Sequence, residues 1–409
     1  MSIVKINGSA LDGRVVIPPS KSAAHRALIC SFLAGGGAVK PIIDSKDMQA
    51  TVGIIKALQN GESVLNCIES GSTLRFMIPV AAALGKKVTF VGEGRLPQRP
   101  IGEYLELLPM HNVAVESGGG LPLTISGKLK NGSYEVAGDV SSQYITGLLL
   151  ALANLDGDSA IILTTPLQSK PYVDMTVKVM NDFGVKVTET DFGYLIHGGQ
   201  NFHKMDYTVE GDWSQAAFFL VAGAINGDVT VGGLDMNTTQ GDKGILDVLE
   251  AFGAKFEINE DSVRCVKSAL KGTVVDATDI PDLVPIISVL AAFSEGQTVI
   301  KGAGRLRYKE SDRIESVVEN LKLIGADVTE TEDGMIINGG KELHSAELKG
   351  YNDHRIVMAF SIAGLFLDGE TVIDDANSIN KSYPSFFEDY NSIGAVSYTH
   401  LRAHETKAN

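Results

Sequence analysis

The sequence predicts an α/β (α+β) chain of two domains. Three observations carry that reading: a length that exceeds one ordinary core, a helix and strand unit repeated six times, and basic residues recurring at one position of the unit. At 409 residues, 44% of them hydrophobic, the chain has apolar side chains enough for two cores of roughly 200 residues each. Six segments share one order: a small polar residue, an apolar helix of about three turns, a glycine and a short β-branched strand. They open at Ser22, Ser72, Ser142, Asp212, Asp282 and Asp353 and close at Gly35, Gly85, Gly157, Gly227, Gly296 and Gly369. Successive openings lie 50, 70, 70, 70 and 71 residues apart, the mark of a repeated supersecondary unit.

Residues 3–17 read as strand lying ahead of the first unit, completing the sheets of the second half. Pro18 and Pro19 stiffen the entry to the first helix, which Ser20 or Ser22 caps. The strands that follow the first helices start near Val88, Ile161, Val229, Thr298 and Thr371, with a weaker copy at 39–43. A second, amphipathic helix comes next, as at 245–252 and 314–324, and several copies end in a glycine: Gly184, Gly253, Gly325. The first helix of each unit is apolar nearly all round and should be buried; the second has a polar face and should cover a sheet from outside. Three units then make a domain, one spanning 18–210, the other joining 1–17 to 211–396 through a crossover near Glu210. Residues 397–409 read as a non-native tail outside the fold, and their histidines are excluded from any site.

Charge and composition narrow the function. A net charge of −15 with no basic stripe argues against nucleic acid or an anionic membrane surface as partner. The longest apolar runs fall well below the ~18 residues of a spanning helix, and there is no apolar leader, so a cytoplasmic location is expected. Cys30, Cys67 and Cys265 fit no metal spacing and are expected to be reduced. No P-loop, dinucleotide fingerprint or metal-spaced His/Cys cluster is present, so neither metal nor cofactor is expected.

Against that acidic background the basic residues stand out. Lys21 and Arg26 flank the start of the first helix, where unpaired backbone N–H groups favour an anion, although a plain capped helix with solvated charges would look the same. Gly71 opens a helix beside Arg75, and a residue without Cβ there lets a ligand lie against the backbone; a simple turn glycine is the other reading. Ser141, Ser142 and Gln143 offer two hydroxyls and an amide to phosphate or sugar oxygens, as an ordinary cap also would. The loops bring Arg95 to Arg99, Gln168-Ser169-Lys170, Lys381, and the most charged segment of the chain, Arg305 to Arg313, in which Lys309 and Arg313 surround Glu310. Asp353, His354 and Arg355 begin the sixth unit. Asp282 is either a helix cap or a base whose carboxylate takes a hydroxyl proton. A polyanionic ligand held between two domains is the expectation.

The runs Pro-Ser-Lys-Ser at 19–22, Ser-Gly-Ser-Thr-Leu-Arg at 70–75, Gln-Arg-Pro-Ile at 98–101, Ser-Ser-Gln at 141–143, Val-Glu-Gly-Asp at 209–212, Lys-Glu-Ser-Asp-Arg at 309–313, Asn-Asp-His-Arg at 352–355 and Asn-Lys-Ser-Tyr-Pro at 380–384 closely resemble the 5-enolpyruvylshikimate-3-phosphate (EPSP) synthase family. The likeness runs from about residue 3 to 395. It implies a two-domain enolpyruvyl transferase-like fold, each domain three βαβαββ repeats around a pseudo-threefold axis. It also implies transfer of the enolpyruvyl group of phosphoenolpyruvate to the 5-hydroxyl of shikimate 3-phosphate with release of phosphate, without cofactor or metal, in a monomer, and glyphosate competing with phosphoenolpyruvate.

By the same resemblance, Lys21, Ser22, Arg26, Ser141, Ser142, Gln143, Ser169, Asp282 and Lys309 contact shikimate 3-phosphate. Lys21, Gly71, Arg99, Gln143, Arg313, Arg355 and Lys381 surround phosphoenolpyruvate. The catalytic set is Lys21, Asp282, Glu310 and His354: Asp282 as base at the 5-hydroxyl, Glu310 as proton carrier at the methylene carbon, Lys21 at the leaving phosphate and His354 in hydrogen-bond support. Two positions depart from the family pattern, Arg305 and Glu69, each standing where members carry Asn. The related UDP-N-acetylglucosamine enolpyruvyl transferases have Asn after the first lysine and a Cys in the loop matching 94–99; here Ser22 and a Cys-free loop with Arg95 speak against them. A non-catalytic anion-binding relative would be expected to have lost Lys21, Asp282 or Glu310, and all three remain.

Overall fold

The computed structural model describes residues 2–401. Strands β1 (Ser2–Asn7) and β2 (Leu11–Val16) precede helix α1 (Lys21–Leu33), which leads through β3 (Val39–Lys40) into α2 (Lys46–Gln59). The next repeat runs β4 (Val64–Asn66), α3 (Gly71–Ala83), β5 (Val88–Val91), α4 (Gly102–Met110), β6 (Val113–Ser117) and β7 (Leu123–Gly127). Another follows as β8 (Ser133–Val136), α5 (Ser142–Leu152), β9 (Ser159–Leu163), α6 (Lys170–Asp182), β10 (Val187–Thr190) and β11 (Gly193–Ile196). The short β12 (Tyr207–Thr208) leads to α7 (Trp213–Asn226), β13 (Gly227–Gly232), α8 (Ile245–Ala251), β14 (Lys255–Ile258) and β15 (Ser262–Val266). Then come β16 (Val274–Asp276), α9 (Val284–Ala292), β17 (Gln297–Lys301), α10 (Arg313–Leu323), β18 (Asp327–Thr331) and β19 (Gly334–Asn338). The last run is β20 (Glu347–Leu348), α11 (His354–Gly364), β21 (Glu370–Asp374), α12 (Phe386–Ser392) and β22 (Val396–Leu401).

The chain divides into two compact units. The first holds residues 19–210 and 237–241; the second holds residues up to 18, 211–236 and from 242 onward. Four sheets share one pairing: an outer strand runs parallel to the strand that follows a buried first helix, and an antiparallel hairpin completes the sheet; in three of them the outer strand directly precedes that helix, and in the fourth the N-terminal β2 takes its place. Orders β4-β5-β7-β6 and β8-β9-β11-β10 in the first unit, and β2-β13-β15-β14 and β16-β17-β19-β18 in the second, all follow this pairing. The first repeat keeps only the parallel pair of β3 and β12. In the last sheet, β20-β21-β1-β22, the N-terminal strand takes the inner hairpin place. The N-terminal segment therefore serves two sheets of the second unit, β1 in one and β2 in another.

The first helices are buried because they carry few polar side chains beyond their first turns. Every residue of α9 and α11 is buried, as is all of α7 up to Ala224, and these three helices pack on one another in the second unit. In the first unit α3 lies against α5, and their Leu, Ile, Val and Phe side chains join one continuous core with Leu65, Phe90 and Ile161. The second helices end as their glycines predict: Gly184, Gly253 and Gly325 have φ of 84°, 82° and 88°, the left-handed stop that glycine adopts without steric cost.

Two expectations change. Of the two caps expected for α1 the structure uses Ser20, and α3 and α5 start earlier than their expected openings, because the capping hydroxyls are Ser70 and Ser141; the three serines accept from Ala23 N, Thr73 N and Gln143 N. Asp212 and Asp353 cap as expected, but Asp282 does not: it lies in a short 3₁₀ turn, Pro281–Leu283, ahead of α9. The second change concerns the segment from 397. Residues 397–401 belong to β22, antiparallel to β1 from Ser2↔Leu401 to Asn7↔Val396, where β14 and β18 stand in their sheets. Val-Ser-Tyr-Thr is a run that a strand tolerates well, whatever its likeness to a family pattern. Residues 402–409 lie outside the described residues. A chain ended after Ala395 should lose this edge and unfold at a lower temperature, by about 5 °C or more, since each kcal/mol moves the midpoint of a domain of this size by roughly 2–4 °C. An unchanged calorimetric midpoint would show that β22 contributes nothing.

Candidate active site

In the first unit the helix starts carry the polar residues. Lys21, the first residue of α1, places Nζ 2.7 Å from Asp47 Oδ2 in the first turn of α2, and both side chains are largely buried. Ser22 follows it. Arg26 is buried one turn on, with Nε on Thr176 Oγ1 at 2.7 Å, Nη2 on the Tyr172 carbonyl at 2.9 Å and Nη1 on the Ser22 carbonyl, so it ties α1 to α6. Burial, only partly opposed by neighbouring groups, lowers its affinity for the proton to a pKa of about 10, which leaves the guanidinium charged at neutral pH.

Gly71 begins α3, and the Arg99 guanidinium rests where its Cβ would be: Nη1 would lie 2.5 Å from that atom and Cζ 2.7 Å. Any other residue would push Arg99 aside. Ser141 caps α5, Ser142 is buried in its first turn, and Gln143 Nε2 donates to Ser72 Oγ at 2.9 Å while Arg75 Nη1 donates to Gln143 Oε1 at 2.7 Å. Ser169 precedes α6 in the left-handed region, φ 54°. Lys21, Gly71, Ser142 and Gln143 thus occupy the same place, the first turn, in three successive repeats.

The second unit holds a tighter constellation. Asp282 Oδ1 lies 2.9 Å from Arg313 Nη1 and 3.6 Å from Lys309 Nζ, and its Oδ2 lies 3.3 Å from Arg355 Nη2. Arg313, fully buried, also donates to Glu310 Oε2 at 2.9 Å and to Asp353 through Nε at 2.8 Å and Nη2 at 3.2 Å. Asp353 caps α11 at Arg355 N and accepts from Ser311 Oγ. Arg355 reaches the N-terminus of α7 as well, giving Nη2 to Ser214 Oγ at 2.8 Å. The buried His354 ring lies 3.9 Å from the Asp353 carboxylate, and Lys381 Nζ donates to the Asn352 carbonyl at 2.6 Å. Five of the residues singled out in the sequence, Asp282, Lys309, Glu310, Arg313 and Arg355, share one ion network.

Burial disfavours the Asp282 carboxylate, but Lys309, Arg355 and Arg313 outweigh it and hold its carboxyl well below the ordinary range. For Arg313 the carboxylates of Asp353, Glu310 and Asp282 likewise overcome burial and raise its pKa. The site in this unit is therefore a charged carboxylate among charged cations at neutral pH.

Sequence reasoning passed over Asp47, the counter-ion of Lys21, whose only signal is an acidic residue two places after the Ser45 cap. It also missed Ser214 beneath Arg355, and it read Asp353 only as a cap rather than as the buried partner of Arg313. The departures find places too: Arg305 Nη2 donates to the Thr278 carbonyl, and the Glu69 carboxylate lies over Gly94 and 4.0 Å from Lys46 Nζ. Cys30, Cys67 and Cys265 are free and buried, and no His, Cys, Asp or Glu cluster suited to a metal occurs among the described residues. No helix among them is long and apolar enough to cross a membrane.

Two solved EPSP synthase structures from Acinetobacter baumannii superpose on 98% of this chain and 100% of their own, with TM-scores of 0.81 and 0.80 at 27% and 26% identity. The enolpyruvyl transferase NikO from Streptomyces tendae shares the fold, with a TM-score of 0.79 at 16% identity. The repeated units, superposing over nearly the whole length of these structures, define an enolpyruvyl transferase fold. The family model for EPSP synthase (3-phosphoshikimate 1-carboxyvinyltransferase) matches residues 6–63 and 58–390. Proteins named 3-phosphoshikimate 1-carboxyvinyltransferase from Clostridium kluyveri and Clostridium novyi are 42% and 40% identical, over 96% and 97% of this chain and 98% of each relative. The chain belongs to the EPSP synthase family.

The Asp282 network makes stability depend on pH. A carboxyl whose folded-state pKa lies below its unfolded value of about 3.9 stabilises the fold above that value, and the contribution is lost as pH falls through the folded pKa. Asp282→Asn should therefore flatten the acid limb of the urea midpoint against pH below about pH 4. Parallel limbs for the two proteins would show that Asp282 gains nothing from its cations.

Proposed function

We propose that this chain transfers the enolpyruvyl group of phosphoenolpyruvate to the 5-hydroxyl of shikimate 3-phosphate and releases inorganic phosphate, a step of aromatic amino-acid biosynthesis by the shikimate pathway. The observation that carries the reading is the Asp282 carboxylate held against Lys309, Arg313 and Arg355, in a chain of this family. In the addition half, the 5-oxygen bonds to C2 of phosphoenolpyruvate, the hydroxyl proton leaves and a proton reaches C3. In the elimination half, the bond from C2 to the phosphate oxygen breaks and C3 gives up a proton. The reaction needs a base at a hydroxyl, an acid and base at a methylene carbon, and cations for two anions held in line.

In this reading Asp282 accepts the hydroxyl proton, Glu310 serves C3, Lys21 assists the departing phosphate and His354 supports by hydrogen bonding. Lys21, Ser22, Arg26, Ser141, Ser142, Gln143, Ser169, Asp282 and Lys309 hold shikimate 3-phosphate. Lys21, Gly71, Arg99, Gln143, Arg313, Arg355 and Lys381 hold phosphoenolpyruvate. Asp282 is a weak base while three cations grip it. Anionic substrates that draw Lys309, Arg313 and Arg355 toward their own oxygens weaken that grip and return basicity to the carboxylate when it is needed. A monomer working in the cytoplasm completes the proposal.

The decisive assay is phosphate release from phosphoenolpyruvate with alternative acceptors. Release with shikimate 3-phosphate and none with UDP-N-acetylglucosamine is expected; the reverse would overturn the assignment. Asp282→Ala or Glu310→Ala should lower kcat by about 10²-fold or more with a small change in KM. Full turnover in either variant would remove that residue from the chemistry.

A further inference from the structure

Beneath the starts of α1, α2 and α3 runs a buried chain of polar atoms that the reading above does not use. His25 Nδ1 lies 2.7 Å from Thr51 Oγ1, Thr51 Oγ1 lies 2.7 Å from Thr73 Oγ1, and Thr73 Oγ1 lies 2.8 Å from Ser70 Oγ. All four side chains are at most 1% exposed. Ser70 is the cap of α3, so the chain ends on the residue that sets the backbone of Gly71. Thr73 Oγ1 also approaches the carbonyl of Asp47, the partner of Lys21, at 3.5 Å.

The protons in this chain have a direction. Thr73 Oγ1 donates to Ser70 Oγ and points its hydroxyl toward the Asp47 carbonyl, which only accepts, so its one proton is directed away from Thr51. Thr73 then accepts from Thr51, and Thr51 in turn accepts from His25, which must carry its proton on Nδ1. The opposite direction would put that proton on Nε2, which is buried and finds no acceptor, and a buried N–H without a partner is costlier than a bare ring lone pair. Burial first, then the charges of Lys21 and Arg26, keep the ring neutral and supply only this one proton.

We propose that His25 and Thr51 are positioning residues: through Thr73 they set the α3 cap under Gly71, and so the placement of Arg99 for phosphoenolpyruvate. The assignment to that substrate rests on the function proposed above. Neither side chain is exposed, so both act through others rather than by touching substrate.

Thr51→Val keeps the shape and removes the hydroxyl; Thr51→Ser keeps it. His25→Phe removes the donor, while His25→Asn returns an N–H near the same place. Thr51→Val and His25→Phe should raise KM for phosphoenolpyruvate by about tenfold, the scale of one lost buried hydrogen bond, with kcat and KM for shikimate 3-phosphate within about twofold of wild type. Thr51→Ser and His25→Asn should restore the wild-type KM. Unchanged KM for phosphoenolpyruvate in Thr51→Val, equal rises for both substrates, or Thr51→Ser as impaired as Thr51→Val would each overturn the proposal. Imidazole ¹⁵N shifts of the unaltered protein read the tautomer without reference to turnover: an Nδ1–H signal is expected, and an Nε2–H signal at His25 would overturn the relay even if the enzyme works. Wild-type protein that shows the Nδ1–H tautomer but no turnover would instead defeat the functional reading alone.

Discussion

The first backbone N–H groups of a helix buried on every side must be satisfied within the protein, by a side-chain cap in α3, α5, α7 and α11, and the polar chemistry of this protein is organised by that constraint. The buried helices α3, α5, α7 and α11 cannot hand these donors to water, so Ser70, Ser141, Asp212 and Asp353 accept them. Each cap brings polar neighbours with it, and because the repeat places every cap at the same point of the unit, those neighbours collect. The first helices of the first unit, α1, α3 and α5, all cap with serine, and of their first residues only Lys21 is charged. The second caps α7 and α11 with aspartate, which imports negative charge into a buried setting and must be answered by arginine, while α9 is entered through a 3₁₀ turn.

That difference shapes the two sets of residues. Asp353 caps α11 and also binds Arg313 through two of its nitrogens, so one carboxylate serves helix and ion network together. Arg313 then has a hand left for Glu310 and another for Asp282. Removing any one member would strand the others in a poorly solvated place, which is where single substitutions of buried ion pairs become expensive. In the first unit the same position is filled by neutral hydroxyls and an amide, and a largely buried ion pair, Lys21 with Asp47, joins the starts of two helices.

The N-terminal strand shows how far the repeat governs the chain. The sixth unit runs out before its hairpin is complete, and β1, from the other end of the sequence, takes the missing inner place, with β22 outside it. A segment read from its wording as foreign to the fold is thus held by backbone pairing, which depends on φ, ψ and a free strand edge more than on side-chain identity. The single truncated copy, β3 with β12, shows that the unit tolerates loss of its hairpin when the buried helix remains.

The spacing of caps, apolar helices, glycines and strands by itself determined the six repeats and which helices would be buried, because periodicity and capping act within a few residues of each other along the chain. The same wording singled out Lys309, Glu310, Arg313 and Arg355, since charge clustered at helix starts in an acidic protein is visible locally. Which carboxylate meets which cation was decided only in three dimensions. Asp47 faces Lys21 across 26 residues, Ser214 faces Arg355 across 141, and Asp282 left the role of helix cap to become the shared partner of three cations. Such pairings depend on how separate repeats pack, and no window of sequence contains both partners.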